Sequence, residues 1–403
     1  MRLLFLVDAV PHAGSTGGYQ IIYQRITRLA RRGHQIAVLC FGDPAGNDAV
    51  ADLRSQVKWL RILPRPSQTR RAILSRSLRW RRPWWFARSF SAQMQRTVGD
   101  MVEQLRFHAA IAEFTPMGQY FLMNPYLSAV RRVVSCHGSP WFGCHHALKV
   151  VRPGGYAWLT LVCRMPGMKK FEFAVYRNAD WVTTLTPAER YWLLTVAPGL
   201  DISVVPAGVD ISHFTPRDAS QTEEAVMFMG RFSDETNVDA VVWFANSIWP
   251  HLTRRRPEAR FYVVGPEPPP VLRSLPRRDP RIVVTGYVQD VRPFFRRSRA
   301  FVCPIRIGSG MRMKVLEAMA SGVPVVSTVL GMEGIPAEPG GNCFLNDCPQ
   351  RIASYLELLL SDLDLNREMG AAARRTVEAS FDWEKITDTF EAGLQRLLPT
   401  PSA

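Results

Sequence analysis

The stretch 302–328 constrains the fold and the ligand of this chain more than any other. It reads VCPIRIGSGMRMKVLEAMASGVPVVST, in which a short apolar run leads into a glycine-rich turn, a helix-like segment and a second apolar run. This order predicts a strand, a loop, a helix over 315–320 and a second strand over 323–327. The turn Gly308-Ser309-Gly310 feeds the helix, and free backbone N–H groups at a helix start favour an anionic ligand.

Charged side chains beside this turn indicate what kind of anion it binds. Arg312 and Lys314 follow the turn directly, and two neighbouring cations suit a ligand with more than one negative charge, such as a diphosphate. Glu317 follows on the predicted helix, where its carboxylate can accept hydrogen bonds from hydroxyl groups. One site for phosphates and one for hydroxyls together predict a nucleotide sugar as the ligand.

Strand-then-helix patterns recur along the whole chain and predict two doubly wound sheets. The first begins with the apolar run 3–7, followed by the pair Gly17-Gly18 and a helical pattern over 19–32. The second begins with the apolar run 225–229 after a polar connector. Sheets of this type bind ligands at the carboxyl ends of their strands, so the glycine pair is either a ligand-binding loop or a plain tight turn.

Two further polar residues follow predicted strands and are candidate ligand contacts. His137 comes directly after the strand pattern 132–136, where it either contacts a ligand and carries a proton or is simply a hydrogen-bonded polar group. Arg231 comes after the first strand of the second sheet, where it is either structural or a phosphate contact.

The excess of positive over negative charge lies entirely in the first half of the chain. Residues 1–200 hold 27 Lys and Arg against 10 Asp and Glu, whereas the rest holds 23 against 25. The stretch 54–96 interleaves arginine with tryptophan and contains no acidic residue. This pattern favours an anionic membrane surface, with a solvated basic helix whose tryptophans pack inward as the main alternative. No nucleic-acid motif accompanies it, so we expect no nucleic acid as a partner.

The remaining composition predicts a cytoplasmic protein. The seven cysteines are scattered without a Cys-x2-Cys pair, which is typical of reduced thiols and predicts no metal site. The opening apolar run is cut by Asp8, so it makes a poor leader peptide, and no run approaches the ~18 apolar residues of a membrane span.

Four segments of the chain resemble the GT-B glycosyltransferases, and among them glycosyltransferase family 4, the "glycosyl transferases group 1" enzymes. The matching segments are VPAGVD at 205–210 with Phe214, MGRF at 229–232, GYV at 286–288 and KVLEAMASGVPVV at 314–326. The run 306–314 resembles the branch of this family associated with bacterial exopolysaccharide systems.

The resemblance implies an α/β fold of the GT-B type, with two Rossmann-like doubly wound domains that face each other across a cleft. It assigns residues 1–205 to an acceptor-binding domain and 206–380 to a nucleotide-sugar donor-binding domain. Residues 381–403 would form a C-terminal helix that crosses back to the first domain.

The resemblance also assigns roles to individual residues. Glu317 would hold the ribose hydroxyls, Arg231 would pair with the diphosphate, and His137 would lie near the donor sugar. The pair Gly17-Gly18 would lie near the phosphate and the acceptor. We take His137, Arg231 and Lys314 as the candidate catalytic residues. The remaining candidate donor-binding positions are Gly286, Tyr287, Val288, Gly308, Ser309, Gly310 and Arg312. No metal and no cofactor are expected, because fixed cations would replace a metal at the diphosphate.

The sequence departs from the family pattern at two positions. The first glutamate of the family's E-x7-E motif falls at Ser309, and that glutamate normally contacts the donor sugar. The lysine usually found several residues after Gly-Arg is absent, and Asn237 lies in that region. We infer that Lys314, with Arg312, supplies the missing charge.

These observations predict a retaining, metal-independent glycosyltransferase of bacterial polysaccharide biosynthesis. It would transfer a sugar from a nucleotide diphosphate sugar to a hydroxyl of a glycan or lipid-linked acceptor, at the cytoplasmic face of the inner membrane. Two alternatives stay open: a sugar-nucleotide epimerase of the same fold, and an inactive membrane-associated assembly partner, which the serine at position 309 would favour.

Overall fold

The computed structural model of the chain describes residues 1–14, 17–43, 48–122, 124–151, 153–308 and 310–398. Contacts divide the chain into two compact units. The N-terminal unit consists of Met1–Pro206 and the residues from Ile386 onward, and the C-terminal unit consists of Ala207–Lys385.

The N-terminal unit contains a sheet of seven strands that all run parallel. Its strands are β1 (Arg2–Val7), β2 (Gln35–Phe41), β3 (Trp59–Leu63), β4 (Ala109–Glu113), β5 (Arg131–Cys136), β6 (Trp181–Thr184) and β7 (Ile202–Val204). Their order across the sheet is β3-β2-β1-β4-β5-β6-β7. Strands buried on both faces read as continuous apolar runs, and Leu3, Leu4, Phe5, Leu6 and Val7 of β1 are all fully buried.

Helices connect these strands and cover the sheet. They are α1 (Gly18–Arg31), α2 (Asp48–Gln56), α3 (Arg70–Trp80), α4 (Trp84–Arg88), α5 (Ala92–Leu105), α6 (Pro140–Val150), α7 (Tyr156–Arg164), α8 (Met168–Arg177) and α9 (Pro187–Val196).

The C-terminal unit contains a second parallel sheet, of six strands. Its strands are β8 (Glu223–Met229), β9 (Arg260–Val264), β10 (Ile282–Gly286), β11 (Ser298–Cys303), β12 (Val325–Ser327) and β13 (Cys343–Leu345), in the order β10-β9-β8-β11-β12-β13. Its helices are α10 (Glu235–Trp243), α11 (Trp249–Thr253), α12 (Pro270–Arg273), α13 (Leu275–Arg278), α14 (Arg292–Arg297), α15 (Met313–Ala320), α16 (Pro349–Ser361), α17 (Leu363–Ser380) and, starting in this unit, α18 (Trp383–Leu397).

The predicted α/β class with two doubly wound sheets is therefore confirmed. The bounds of two predicted elements differ from those in the structure. The strand predicted over 323–327 is only β12, because Pro324 has no N–H to donate to a neighbouring strand, although its carbonyl accepts a hydrogen bond from Phe301 at 2.9 Å. The helix predicted over 315–320 begins two residues earlier, at Met313.

In each sheet the strand order reverses at one point, between β1 and β4 in the N-terminal unit and between β8 and β11 in the C-terminal unit. At such a point the loops after the two strands diverge and leave a crevice at their carboxyl ends, where ligands bind in this architecture. The glycine pair 17–18 follows β1, and the glycine turn at 308–310 follows β11.

The last helix, α18, completes the N-terminal unit although it lies at the end of the sequence. From Ile386 onward its residues cluster with that unit. The Phe390 ring packs on Trp181 with centroids 5.4 Å apart, and Glu391 accepts a hydrogen bond from Arg32 at 2.9 Å. Across the described ranges, we find no helix whose length and apolarity would let it cross a lipid bilayer.

Candidate functional site

In the C-terminal unit, the loop after β8 is built around a glycine whose small size is required. A Cβ atom at Gly230 would lie 2.9 Å from the Lys314 ammonium and 2.8 Å from the Asn237 side chain. Any larger residue would therefore push the two polar side chains away from the backbone. The absence of a side chain lets the ammonium lie directly against the loop that carries Arg231.

Lys314 is held from two sides in the first turn of α15. Its Nζ donates a hydrogen bond to Asn237 Oδ1 at 2.5 Å, and it lies 4.3 Å from the centre of the Phe228 ring. Asn237 in turn donates through Nδ2 to the carbonyl of Arg231 at 2.8 Å. Burial lowers the pKa of Lys314 to about 8, because water no longer solvates the ammonium. The cation thus lies beside position 237, the region where the family pattern has a lysine.

The side chain of Arg231 has a different surrounding from that of Lys314. Its guanidinium is about half exposed and lies 3.6 Å from the carboxylate of Glu267. An exposed pair of this kind is weak, so a phosphate can replace the carboxylate as the partner of Arg231 at little cost.

The glycine turn after β11 adopts a conformation that favours glycine. Gly308 and Gly310 have φ angles of 104° and 86°, and Ser309 between them lies outside the described residues. The N–H of Gly310 donates to the Glu333 carboxylate at 3.1 Å, and Arg312 approaches the carbonyl of Ile307 at 3.5 Å. The turn therefore binds an anion already, and that anion is the chain's own Glu333, which sequence reasoning did not select.

The residues predicted to contact the ribose and the base lie on different elements and differ in exposure. Glu317 is buried one turn beyond Lys314 on α15, with 6% of its surface exposed. Gly286 ends β10 with a φ angle of 71°, and the ring of Tyr287 after it is 75% exposed. Val288 follows in the same loop and is partly buried.

In the N-terminal unit the structure brings two of the predicted elements together. Gly18 begins α1, and a Cβ atom there would lie 3.2 Å from His137 Nδ1 and 2.7 Å from the Phe114 ring. The Phe114 and His137 rings are in contact, with centroids 4.6 Å apart. Gly17 precedes them with a φ angle of 60°, a conformation that glycine adopts without strain. The glycine pair and the histidine, 119 residues apart in sequence, thus form one site.

A buried ion pair that sequence reasoning missed holds His137 in place. Glu113 accepts a hydrogen bond from His137 Nε2 at 2.7 Å and another from Arg25 Nη1 at 2.7 Å. The side chains of Glu113 and Arg25 are 0% and 4% exposed. Burial acts to raise the pKa of Glu113, but the charge of Arg25 and the bond from His137 outweigh it and lower the pKa to about 2.

The ionised state of Glu113 decides which nitrogen of the His137 ring carries the hydrogen. An ionised carboxylate only accepts hydrogen bonds, so Nε2 carries the hydrogen in this pair. His137 Nδ1 is buried and has no hydrogen-bond partner among the residues that the structure describes. Nδ1 is therefore the ring nitrogen that can still form a hydrogen bond, and it lies next to Gly18. The available signal was Glu113 itself, a charged residue that ends an otherwise apolar strand.

A second buried carboxylate fixes the loop after His137. Glu172 accepts hydrogen bonds from the Ser139 hydroxyl at 2.5 Å, from the Trp141 N–H at 2.9 Å and from the Tyr176 hydroxyl at 2.8 Å. Burial raises the pKa of Glu172 to about 7, although these three hydrogen bonds oppose the shift.

A cavity of about 260 Å³ opens beside the carboxyl ends of β1 and β2. Its polar lining consists of His12, Asp43 and Arg65. A cavity with mixed charges and apolar walls can bind a neutral polyhydroxylated group by hydrogen bonds. In the described part of the chain, no cluster of three or more His, Cys, Asp or Glu side chains is arranged to hold a metal ion.

Comparison with family models finds one match in each half of the chain. Residues 16–213 match the model described as Glycosyltransferase Family 4, and residues 223–362 match the model described as Glycosyl transferases group 1. The two matches take in most of the chain and meet close to the boundary between the two units.

Comparison with individual proteins finds similarity in sequence and in fold. An uncharacterized 44.6 kDa protein in the cps region of Klebsiella pneumoniae is 18% identical over 168 residues, which are 40% of this chain and 43% of that protein. The chain thus spans less than half of the length of this relative.

Solved structures are similar over nearly the whole chain. Sucrose-phosphate synthase from Thermosynechococcus elongatus superposes with a TM-score of 0.74 at 17% identity, covering 98% of this chain and 99% of that one. Anabaena Alr3699/HepE in complex with UDP gives a TM-score of 0.70 at 14% identity, covering 98% and 100%. At these identities the comparison establishes the shared fold.

Proposed function

Because the chain belongs to the family 4 and group 1 glycosyltransferases of the GT-B fold, we propose that it transfers a sugar from a nucleotide diphosphate sugar to a hydroxyl group. The acceptor is a glycan or a lipid-linked glycan in bacterial polysaccharide biosynthesis. The observation that carries this proposal is the Lys314 ammonium, which lies against the Gly230 loop at the strand-order reversal of the C-terminal sheet.

In this proposal the C-terminal unit binds the donor. Lys314 and Arg231 contact the diphosphate and stabilise the negative charge that develops as it leaves, which is worth several kcal/mol at a site shielded from water. Arg312 adds a third cation at the turn after β11. Glu317 accepts hydrogen bonds from the ribose hydroxyls, and the loop 286–288 contacts the base through its backbone.

The N-terminal unit binds the acceptor and contributes His137. The small size of Gly18 lets His137 and Phe114 pack against the start of α1, and in this proposal the loop before Gly17-Gly18 contacts a phosphate or a sugar. With Nε2 bound to Glu113, Nδ1 accepts a hydrogen bond from a sugar hydroxyl when the ring is neutral, and donates one when it is protonated. The cavity lined by Arg65 offers a place for the acceptor.

We further propose that the reaction retains the configuration at the anomeric carbon, that it requires no metal and no cofactor, and that the protein works in the cytoplasm at the inner membrane face. The support is the family resemblance of the run 306–314, the fixed cations at the diphosphate position, and the basic stretch 54–96. The partly buried position of Lys314 supports its role at the diphosphate, because a cation with reduced solvation interacts more strongly with a phosphate.

A donor screen followed by product analysis tests this function. UDP, GDP and their sugars are compared by thermal shift, and the best donor is then incubated with membrane extract in the presence and absence of EDTA. We expect a stabilising donor, a new glycoside with retained anomeric configuration by NMR, and full activity with EDTA. Conversion of the donor without an acceptor would instead indicate an epimerase, and absence of any nucleotide binding would indicate an inactive partner protein.

A further inference from the structure

Two neighbouring helices of the N-terminal unit, α3 and α7, expose apolar side chains to solvent. On α3, Leu74 and Leu78 are 52% and 72% exposed. On α7, Tyr156, Leu159 and Val162 are 71%, 50% and 37% exposed. Large apolar side chains at successive turns of these helices are exposed to water. Such exposed apolar patches mark sites of interaction with a protein or a membrane.

Two side-chain contacts connect α7 with α3 and with the residues that follow α3. At their starts, Arg70 Nη2 donates a hydrogen bond to the Tyr156 hydroxyl at 3.2 Å. At the end of α7, the Arg164 guanidinium lies 5.2 Å from the centre of the ring of Trp84, which follows α3 closely in the chain. The exposed residues of α3 and α7 therefore belong to one region of the surface, here called the α3–α7 face.

The two stretches of sequence that carry the α3–α7 face are strongly cationic. Between Asp52 and Asp100 the chain has 12 Lys and Arg and no acid, and between Glu113 and Glu172 it has seven and again no acid. The two helices lie within these two acid-free stretches. Just after α7, Lys169, Lys170 and Arg177 line a cavity of about 360 Å³ whose lining includes no acidic residue.

Several rings of the tryptophan-rich stretch 54–96 pack inward, whereas Trp80 at the end of α3 is 43% exposed. Phe86 and Phe90 are buried in the core, and Trp59 and Trp85 pack against it. The guanidinium of Arg82 lies 4.1 Å from the centre of the Phe90 ring, and that of Arg88 lies 5.3 Å from Trp85. The inward-packing alternative thus describes Phe86, Phe90, Trp59 and Trp85, whereas the exposed ring of Trp80 belongs to the α3–α7 face.

We propose that the α3–α7 face docks on an anionic lipid bilayer. The leucines of α3 and the tyrosine, leucine and valine of α7 enter the headgroup region, while the surrounding lysines and arginines contact lipid phosphates. Exposed apolar side chains on two stretches rich in Lys and Arg and free of acids match a negatively charged surface with an apolar interior. The purpose of such docking, access to a lipid-linked acceptor, rests on the proposed function, but the surface itself does not.

Vesicle flotation with matched variants tests the proposal. The probes are vesicles of equal parts phosphatidylcholine and phosphatidylglycerol, vesicles of phosphatidylcholine alone, and a single-stranded RNA oligomer. The face variant is L159D/V162D, with L74D/L78D as a second, independent variant. The control is V271D/V329D, which places the same charges on exposed valines of the C-terminal unit, 46% and 61% exposed.

We expect wild type and control to float with the anionic vesicles at low salt, and each face variant to bind them at least about tenfold more weakly. Binding to phosphatidylcholine alone should be weak, and high salt should reduce binding to anionic vesicles. Face variants that float like wild type would overturn the proposal, as would RNA binding stronger than vesicle binding.

The thermal shift with the donor nucleotide is measured on the same variants. A face variant that loses flotation but keeps the nucleotide response shows that the folded protein has lost its lipid contact, as we expect. Loss of flotation together with loss of cooperative unfolding in both face variants would overturn the assignment of these residues to a docking surface. Flotation of wild type without any nucleotide response would refute the proposed transferase and leave the docking face standing.

Discussion

At the scale of single residues, the arrangement around His137 depends on Glu113. The parallel register of β4 and β5 pairs Glu113 with Ser135, two residues before His137, and so brings the carboxylate to the imidazole. Arg25 neutralises the carboxylate from the buried face of α1. Glu113 touches no expected substrate atom, so we assign it as a positioning residue for His137.

We predict that Glu113→Gln lowers the turnover number about tenfold or more, because an amide fixes neither the orientation nor the tautomer of the imidazole. The ¹⁵N signals of the His137 ring should change, and the pH profile of the turnover number should shift with them. A purely structural role of Glu113 would leave the tautomer unchanged in the folded variant.

Glu113→Gln also leaves Arg25 without a counter-ion, which costs stability on the order of 3–5 kcal/mol. The double variant Arg25→Met/Glu113→Gln removes the unpaired charge and serves as the control. It should recover most of the stability but not the His137 tautomer or the turnover number.

Lys314 gives the donor affinity a defined pH dependence. Its pKa lies near 8 in the unliganded protein because burial disfavours the ammonium. A diphosphate binds the protonated form, so we predict that the affinity for the donor nucleotide falls by up to about tenfold per pH unit above pH 8. Isothermal titration calorimetry with UDP or GDP at pH 7 and pH 9 measures this change.

Two substitutions at position 314 separate this effect from general loss of binding. Lys314→Arg stays charged at pH 9 and should remove the pH dependence while keeping measurable affinity. Lys314→Met should bind weakly at both pH values. Equal affinity of wild type at pH 7 and pH 9 would contradict the phosphate role.

The sequence was sufficient to select candidate residues that lie within one motif. It was insufficient to select residues whose partners are brought close only by the order of the strands in the sheet. Gly230, Asn237 and Lys314 were identified because the family pattern names their positions, and their contact shows how a lysine on α15 reaches position 237. Glu113 and Arg25 were not identified, since their partners lie on other strands and helices.

At the scale of elements, the loop between β5 and α6 is fixed by carboxylates from other helices. Glu172 on α8 accepts the Ser139 hydroxyl and the Trp141 N–H, and Glu189 on α9 accepts the Ser139 N–H at 2.6 Å. Ser139 also caps the start of α6, accepting from the Phe142 N–H. The loop that carries His137 is therefore held by the start of a helix and by two buried acids.

Glu172 makes the stability of the N-terminal unit pH-dependent. Its pKa of about 7 in the folded protein lies above the ordinary value of 4.5. Between these values the folded state binds a proton that the unfolded state releases, so stability falls as pH rises through this window. We predict a loss on the order of 1–3 kcal/mol between pH 5 and pH 8.

Glu172→Gln should flatten this dependence, because the amide keeps an acceptor for Trp141 and cannot ionise. Urea unfolding at pH 5, 6.5 and 8 measures it, with the exposed Glu103→Gln as control. A control that flattens the curve as strongly as Glu172→Gln would show that overall charge, and not this buried acid, causes the effect.

The strands were predicted well, whereas the sequence left open how the rings of the basic stretch pack, for a physical reason. A strand buried on both faces is written in the sequence as an apolar run, which β1 and β8 show. The stretch 54–96 instead folds into parts of α2, β3, α3, α4 and α5, and whether its rings turn inward depends on a core formed by distant segments.

At the scale of the whole molecule, the N-terminal unit is discontinuous in sequence. Phe390 of α18 is buried against Trp181. The guanidinium of Arg25 lies 4.2 Å from the centre of the Phe390 ring. The last helix thus supports the same arginine that neutralises Glu113.

We predict that Phe390→Ala destabilises the N-terminal unit by about 3–5 kcal/mol, the usual cost of removing a buried phenylalanine ring. Hydrogen exchange followed by mass spectrometry should show lost protection in β1–β7 and unchanged protection in β8–β13. Gln395→Ala on the exposed side of the same helix is the control. Equal loss of protection in both units would show that α18 does not belong to the N-terminal unit alone.

Arg25 and Phe390 are in contact but are made at very different times during protein synthesis. The ribosome adds Phe390 365 residues after Arg25, so the support beneath Arg25 is made long after Arg25 itself. A chain that terminates prematurely after Lys385 contains every residue of the C-terminal unit but lacks the ring on which Arg25 rests. Under the function proposed above, such a chain keeps every residue of the donor-binding unit but lacks part of the unit that carries His137.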